Sequence, residues 1–328
     1  MSTVLTAFSK GKSKAKVFEQ ANYGLELCRG VGFEYSSQTQ PYGIEIELEG
    51  TGLPRAVGRA WTPHDDNSLR GGREYVTAGT VSKDQAIADV ANLFEQIAAA
   101  GATINNSYRT STHVHVNVRD MKVNTLAAFV ALWGSFEDVL TAWCGPTRAG
   151  NLFALRLSDS AMAVETWVRG FKTGVFEHHR EMRYLALNPA CLRTFGSIEI
   201  RSMRGLNNAA EFVPWIEIID ALKAKAATYG DPSEIACDFS ASGALGLLEA
   251  TFGHLPVFEE LRAVPNAELL IRDGFRRIQP ILYVIPWADA MPEIEKVYVP
   301  SPFGAPKTKR KRMTTEWEEV INFVEEVD

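Results

Sequence analysis

Three short stretches alternate polar and apolar residues with a period of two, and this pattern constrains the fold more than any other feature. The stretches are "GIEIELE" at 43–49, "THVHVNV" at 112–118 and "SIEIRS" at 197–202. Successive side chains on a β-strand point to opposite faces, so each stretch is typical of a strand with one apolar face and one polar face. The segments between them do not follow a regular β-α-β alternation. The sequence therefore predicts an α+β fold with a mostly antiparallel sheet.

The polar faces of these strands carry charged groups and imidazoles. They present Glu45 and Glu47 on the first strand, His113, His115 and Asn117 on the second, and Glu199 and Arg201 on the third. Residues two apart on a strand are separated by about 6.6 Å, so two glutamates at that spacing can converge on one cation. If the three faces meet, two carboxylates about 4 Å apart repel by about 4 kcal/mol at an effective dielectric constant near 20. Such a cluster requires cations or paired arginines.

A further acid, Glu74, opens the short strand "EYVT" after the turn-rich segment "DDNSLRGG". In this turn, Asn67 is predicted to take the left-handed conformation that glycine more commonly adopts. Another interpretation stays open for all of these acids, because charges facing outward are also what a half-solvated antiparallel sheet shows. In the same way, an isolated "HVH" is more often a pair of surface histidines than a metal site.

Helices are predicted between and after these strands. The first runs from about Ser82 to Ala100, begins with a capping box of Ser82 and Gln85, and ends at Gly101. Its predicted apolar stripe consists of Ile87, Val90, Phe94 and Ile97. A long apolar helix is predicted over roughly 123–143, and the chain is mostly helical from about 208 to 289. Two more strands are predicted, in "EMRYLALNP" and in "TFGSIEIRSMRG".

The length and composition set the domain organisation. With 328 residues, of which 46% are hydrophobic, the chain can bury one large core or two modest ones. We predict a basic, flexible arm at 1–25, a single domain at 26–300, and a basic linker followed by an acidic amphipathic helix at 301–328. The last helix is predicted from a capping box formed by Thr315 and Glu318.

The charge and the cysteines bear on partners and compartment. A net charge of −6 gives no general attraction to nucleic acid or to anionic membranes, and the basic runs "SKGKSKAK" and "KTKRKR" are expected to be solvated tails. The four cysteines are widely spaced without a CxxC pair, which favours a reducing compartment. We see no signal peptide and no apolar run near the roughly 20 residues of a membrane helix. A cytoplasmic protein is expected.

The ordered set of motifs resembles one family. "YGIEIELE", "DDNSLRGGREYVTAG", "HVHVNV", "MRYLALN" and "GSIEIRSMRG" resemble, in this order, the amidoligases of the glutamine-synthetase-like carboxylate–amine ligase superfamily. The resemblance covers about 42–206. It implies that 26–300 form a catalytic domain with a sheet curved into an open funnel, helices on its outer face and an active site on its concave face.

The resemblance also implies roles for individual residues. The implied metal ligands are Glu45, Glu47, Glu74, His113 and Glu199, and the implied catalytic and nucleotide-binding residues are Arg201, Arg183 and His115. Arg201 matches the arginine that faces the transferred phosphate, and Arg183 matches one near the nucleotide phosphates or the carboxylate substrate. The cofactor would be Mg²⁺ or Mn²⁺, with ATP as co-substrate, and the substrates a small-molecule or peptide carboxylate and an amine. Superfamily relatives often assemble, so an oligomer is compatible with the resemblance.

The sequence departs from glutamine synthetase itself. Glu74 stands alone where that enzyme offers two acids, and no ammonia-site loop is recognisable. The number of metal ions and the amine substrate therefore stay open. So do roles in the site or in the scaffold for four polar residues, Arg148, Asn151, Tyr184 and Asn188.

Two other classes of function also stay open. One is a metallohydrolase or cupin-like oxygenase with His113 and His115 on a transition metal. A cupin would add a nearby glutamate and a distant histidine, whereas Asp120 follows here. The other is a non-catalytic nucleotide-binding protein with this fold.

Overall fold

The fold was analysed in a computed structural model that describes residues 40–119, 121–173, 176 and 183–283. The predicted arm at 1–25 and the predicted linker and helix at 301–328 lie outside the described residues. The described chain combines helices with an antiparallel sheet that does not close into a barrel. The predicted α+β class is confirmed.

Seven strands form the sheet in the order β2-β3-β1-β5-β7-β6, with β4 paired to the end of β1. All of these neighbours run antiparallel. The strands are β1 (Tyr42–Thr51), β2 (Trp61–His64), β3 (Gly72–Thr77), β4 (Thr103–Ile104), β5 (Ser111–Asn117), β6 (Leu187–Asn188) and β7 (Ser197–Arg204). The three alternating stretches are therefore the three neighbouring strands β1, β5 and β7.

The helices in the described part of the chain bury the apolar face of this sheet. They are α1 (Lys83–Ala99), α2 (Val123–Trp143), α3 (Ala161–Thr173), α4 (Cys191–Phe195), α5 (Phe212–Ala227), α6 (Glu234–Phe252), α7 (Phe258–Arg262) and α8 (Ala267–Leu282), with a 3₁₀ turn at Ala209–Glu211. On β1, β5 and β7, the buried apolar residues include Ile44, Ile46, Leu48, Val114, Val116, Ile198 and Ile200. α1 packs on β1 and α2 packs on β7. The alternate residues on these strands are thereby directed to the opposite face.

The central helix α2 differs from the sequence-based expectation that no segment is suited to a membrane. By length and composition, α2 is the one helix in the described chain that could cross a membrane. It is instead the core of the fold, because 89% of its most apolar window is buried and it packs against α5 and α8. A helix that is apolar on all sides is expected wherever protein surrounds it.

The start of α1 was predicted correctly, but its buried stripe was not. The Ser82 hydroxyl accepts a hydrogen bond from the Gln85 backbone N–H at 3.2 Å. The Gln85 side chain donates to Asp89 instead of returning to Ser82, so only half of the predicted capping box forms. The buried residues are Ala86, Val90, Leu93 and Ile97, whereas Ile87 and Phe94 are only partly buried. The helix therefore buries a face that is slightly rotated from the predicted one.

The structure also corrects the predicted conformation of Asn67 and the predicted bounds of two strands. Gly71 has a φ of 64°, and among described residues the only non-glycine with a positive φ is Asn266, so Asn67 does not take the left-handed conformation. The segment before β7 is the short helix α4, which ends at left-handed Gly196, rather than an extension of the strand. The strand predicted in "EMRYLALNP" is limited to β6 within the described residues.

Candidate active site

The strand register brings the predicted polar residues together on the face opposite the core. Across β1 and β5, Glu45 lies opposite His113. Across β1 and β3, Glu47 lies opposite Glu74, and across β5 and β7, His115 lies opposite Glu199. A cavity of about 350 Å³ opens over this face, lined among others by Glu45, Glu47, Glu74, His113, Arg183, Glu199 and Arg201. Seven of the eight predicted site residues line it, and the eighth, His115, bonds to Glu45.

His113 lies at the centre of the cluster and is fully buried. Its Nδ1 atom is 2.9 Å from Oε2 of Glu45 and 3.2 Å from Oε1 of Glu199. Its Nε2 atom is 2.6 Å from the Ser111 hydroxyl, which donates a hydrogen bond of 2.5 Å to Glu47. One imidazole on β5 therefore links the acids of the two flanking strands, β1 and β7.

Glu45 and His115 form a partly buried pair. Oε1 of Glu45 lies 3.0 Å from Nε2 of His115, and Nδ1 of His115 lies 3.1 Å from the Ser197 hydroxyl. Burial alone would raise the pKa of Glu45, but hydrogen bonds with His113 and His115 outweigh it and hold that pKa well below its usual range. Burial would lower the pKa of His115, and the Glu45 carboxylate raises it instead. The two shifts agree in favouring a carboxylate beside an imidazolium.

Glu199 is paired with Arg201 two residues further along β7. The Arg201 guanidinium donates a short hydrogen bond to Oε1 of Glu199 and a second one, of 3.2 Å, to the Phe153 carbonyl. Oε2 of Glu199 accepts a hydrogen bond of 2.7 Å from Asn188. Burial alone would raise the pKa of Glu199. The charges of Arg201 and of the nearby imidazoles outweigh burial and hold that pKa below its usual value. Arg201 is thus held at the cavity by a carboxylate and a backbone carbonyl.

The pKa of Glu74 is shifted upward, whereas those of Glu45 and Glu199 are shifted downward. Burial and the charges of Glu45, Glu47 and Asp66 raise its pKa to about 7. Within the described chain no cation pairs with its carboxylate, and one carboxylate oxygen from each of Glu47, Asp66 and Glu74 lies within 4.8 Å of the others. Like charges directly opposite on neighbouring strands destabilise a sheet. This end of the cavity therefore carries more negative charge than the protein neutralises.

The donor set fits a hard divalent cation. Two groups rich in carboxylate oxygens have ligand atoms within 4.8 Å of one another: Glu45 with Glu74 and His113, and Glu47 with Asp66 and Glu74. Mg²⁺ prefers oxygen ligands and binds through a few carboxylates together with substrate phosphates. Burial raises the pKa of Glu74, and the neighbouring carboxylates raise it further, as expected where acids lie together without a countercharge.

Several residues at the site were not predicted from the sequence, and four of the polar ones bear on its chemistry. They are Ser111, Asp66, Arg109 and Cys191. Ser111 precedes His113 by two residues on β5, so the period-two pattern that identified the histidines also contains it. Asp66 lies in a turn, where no periodicity signals which way a side chain faces.

The third glutamate of β1 has a different role from its neighbours. Glu49 lies on the same face as Glu45 and Glu47, but it does not line the cavity. Its Oε1 atom accepts a hydrogen bond of 2.7 Å from the Arg70 backbone N–H. Glu49 therefore holds the turn that carries Asp66, which resolves why three acids follow one another along this strand.

The four polar residues whose roles were left open fall into two groups. Arg148 is fully buried and donates to the carbonyls of Thr110, Arg201 and Ser202. Asn151 donates to two further carbonyls, so both residues tether the loop after α2 to the start of β5 and to β7. Tyr184 and Asn188 line the cavity instead.

Arg183 also lines the cavity, but it is exposed. Its guanidinium donates a short hydrogen bond to the Tyr184 hydroxyl and lies 4.5 Å from the centre of that ring. Because no acid among the described residues binds it, Arg183 is available to a ligand at the mouth of the cavity.

A second, more apolar cavity of about 220 Å³ adjoins the first. Tyr42, Val76 and Phe195 contribute to its walls, and it shares Glu45 with the acidic cavity. His115 also lines it, with its ring packed edge-on against Phe195 at 5.7 Å. An apolar recess thus lies directly beside the acids and imidazoles.

The fold and the site define an open antiparallel sheet with an acidic cavity on one face. Residues 79–223 match a family model described as "Putative amidoligase enzyme". The predicted resemblance to amidoligases is thereby confirmed over this stretch, and an amide-bond-forming ligase is the general class that the match supports. The matched stretch contains His113, His115, Arg183, Glu199 and Arg201. Glu45, Glu47 and Glu74 precede it. No curated protein matches the chain.

Proposed function

We propose that the protein is an ATP- and Mg²⁺-dependent carboxylate–amine ligase that acts through an acyl phosphate. The observation that carries the proposal is the gathering of acids, imidazole and arginine from four strands at one cavity, next to and within the amidoligase-matched stretch. A scaffold gains nothing from an uncompensated cluster of carboxylates. A site that holds divalent cations and triphosphate requires one.

The chemistry needs an activated carboxylate. A carboxylate oxygen of the first substrate attacks the γ-phosphorus of ATP, the bond to the bridging oxygen breaks, and ADP leaves. The amine nitrogen then attacks the acyl carbon, the bond from carbon to the phosphate oxygen breaks, phosphate leaves, and the amine gives up a proton. For phosphoryl transfer, catalysis consists mainly of positioning and charge stabilisation.

The residues divide these tasks. Glu45, Glu47, Glu74, Glu199 and His113 would hold Mg²⁺ or Mn²⁺, which would neutralise the phosphates. Arg201 would stabilise charge on the transferring phosphoryl group, since a guanidinium remains charged and matches phosphate geometry. Arg183, at the open mouth, would bind either phosphate or the carboxylate substrate.

The adjoining apolar cavity would determine how the nucleotide is oriented in the site. We place the base in the recess lined by Tyr42, Val76 and Phe195, because an aromatic, mostly apolar pocket suits a flat heterocycle. His115 lines this recess and bonds Glu45, so it would contact the phosphates at the boundary. The carboxylate and amine would then enter from the side of Arg183 and Tyr184.

The test is ATP consumption screened against mixtures of carboxylates and amines, including peptides, with Mg²⁺ or Mn²⁺. Glu47→Gln is expected to reduce turnover by about a hundredfold or more, because a charge that holds the phosphates is lost. Glu49→Gln is the matched control, since it changes a glutamate on the same face of the same strand outside the cavity. Equal turnover in the two variants would contradict the assignment.

The other classes predict different outcomes. Binding of Mg²⁺-ATP without release of ADP and phosphate in any mixture would favour a non-catalytic nucleotide-binding protein. A stoichiometric transition metal with no nucleotide binding would favour a metallohydrolase or an oxygenase.

A further inference from the structure

Cys191 lines the acidic cavity but has no part in the proposed ligase chemistry. It is the first residue of α4 and is buried, with its Sγ atom 3.4 Å from Oε2 of Glu199. Nδ2 of Asn188 lies 2.7 Å from the same oxygen and 3.7 Å from the sulfur. One amide therefore fixes the thiol and the carboxylate next to each other.

His115 completes a three-residue group of possible ligands. One ligand atom from each of His115, Cys191 and Glu199 lies within 4.8 Å of the other two. Around a tetrahedral ion with bonds of about 2.0–2.3 Å, ligand atoms are about 3.3–3.8 Å apart. The sulfur and the carboxylate oxygen already have this spacing, at 3.4 Å. A ring nitrogen of the imidazole lies within 4.8 Å of a ligand atom of each.

The hydrogen bonds of His115 suit a ligand. Each of its ring nitrogens has one partner, Glu45 for Nε2 and Ser197 for Nδ1. When one nitrogen binds an ion, the other keeps its partner, and such a second bond orients metal-bound histidines in proteins.

The donor chemistry separates this group from the magnesium ligands. Mg²⁺ prefers oxygen donors, whereas a sulfur and a nitrogen beside one carboxylate favour Zn²⁺ and similar soft ions. We propose that Cys191, His115 and Glu199 form a subsite that shares Glu199 with the proposed magnesium ligands and binds Zn²⁺ in preference to Mg²⁺. On binding, the thiol and the His115 imidazolium each release a proton to water, and the sulfur and the freed ring nitrogen bond the ion. Three protein ligands leave a fourth position for water or another donor.

The proposal has a consequence for the cavity. Glu199 belongs both to this subsite and to the proposed magnesium ligands, so Zn²⁺ would compete with Mg²⁺ for its carboxylate. The binding itself requires neither ATP nor a ligase reaction, so the proposal stands or fails independently of the proposed activity.

The experiment uses metal-free full-length protein without nucleotide, carrying Cys28→Ser and Cys237→Ser to remove two other thiols. The remaining one, Cys144, is fully buried. Titration with Co²⁺ is expected to give a thiolate-to-metal charge-transfer band that one equivalent of Zn²⁺ abolishes. Cys191→Ser in the same background is expected to lose the band and to weaken Zn²⁺ binding at least tenfold. A band that persists in Cys191→Ser would overturn the proposal.

A measurement on the background protein avoids any effect of the third substitution on folding. X-ray absorption of the Zn²⁺-loaded protein is expected to show one sulfur at about 2.3 Å together with nitrogen or oxygen neighbours. A shell of only nitrogen and oxygen, or Zn²⁺ binding no tighter than Mg²⁺ binding, would refute the subsite.

Discussion

Two groups of buried carboxylates differ in what neutralises them. On α2, Asp138 accepts hydrogen bonds from Arg156 at 2.9 Å, from Ser158 at 2.8 Å and from Arg277 at 3.2 Å. Its neighbour Glu137 accepts from the Trp133 indole and from the Leu157 backbone N–H. Every carboxylate oxygen of this first group, which we call the helix group, has a donor.

The acids of the cavity are arranged differently. Glu47 and Glu74 lie directly opposite each other across β1 and β3, with Asp66 close to both. Among the cavity acids within the described residues, Glu199 alone has an arginine partner. Burial therefore does not by itself mark a functional acid. A carboxylate group without its own countercharge does, because a protein tolerates the repulsion where a ligand relieves it.

The largest expected effect concerns the helix group. Asp138→Ala leaves the Arg156 and Arg277 guanidiniums without their shared carboxylate, and we expect unfolding to become easier by about 3–5 kcal/mol. Denaturant unfolding measures the change. Asp138→Asn, which keeps the side-chain shape, should cost less. If Asp138→Ala lowers the free energy of unfolding by less than about 1 kcal/mol, the helix group does not stabilise the fold as expected.

The second prediction concerns the response to metal. Mg²⁺ at about a hundred times its dissociation constant should stabilise the native protein by about 2.7 kcal/mol, because it binds only the folded state. Glu47→Gln should lose most of this increase, and Asp138→Asn should keep it. Thermal unfolding with and without Mg²⁺ measures the difference. Equal stabilisation by Mg²⁺ in both variants would show that the cavity acids and the helix group do not differ in cation binding.

The third prediction concerns pH. The pKa of Glu74 is raised in the folded protein to about 7 from an ordinary value of 4.5, so the folded state binds the proton more tightly. This contribution to stability is complete below about pH 4.5 and is lost as the pH rises to about 7 and above. Metal-free protein should therefore lose about 1–3 kcal/mol through Glu74 over this range.

Glu74→Gln isolates that contribution. The variant should show a shallower decline of stability between pH 5 and pH 8 in chelator. The decline due to Glu137, whose pKa burial raises to about 8, should remain in both proteins. Identical profiles for native protein and variant would show that Glu74 does not carry the unneutralised charge.

The smallest expected effect concerns Asp66. Asp66→Asn keeps an oxygen for the hydrogen bond from the Ser68 backbone N–H at 2.7 Å, so the turn should persist. Removing one charge near Glu47 and Glu74 should weaken Mg²⁺ binding by several-fold, or about 1 kcal/mol. Calorimetric titration checks this. Unchanged affinity would place Asp66 outside the cation site.

Much of the site could be predicted from alternation alone. The spacing of Glu45, Glu47, His113 and Glu199 requires that these residues share the face opposite the core whenever their strands pair. Asp66, Arg109 and Cys191 could not be found in this way, since each lies outside a strand. The stripe of α1 was misplaced for a related reason: several apolar residues of a helix compete for the core, and packing chooses among them.

The sequence by itself determined which residues point away from the core on β1, β5 and β7, because a strand repeats every two residues. Only the tertiary structure decided that Glu49 holds a turn while Glu47 faces a cavity, and that Arg148 binds carbonyls while Arg201 binds Glu199. The physical reason is that periodicity fixes the direction of a side chain. The partner it meets depends on strand register and on loops that come from distant parts of the chain.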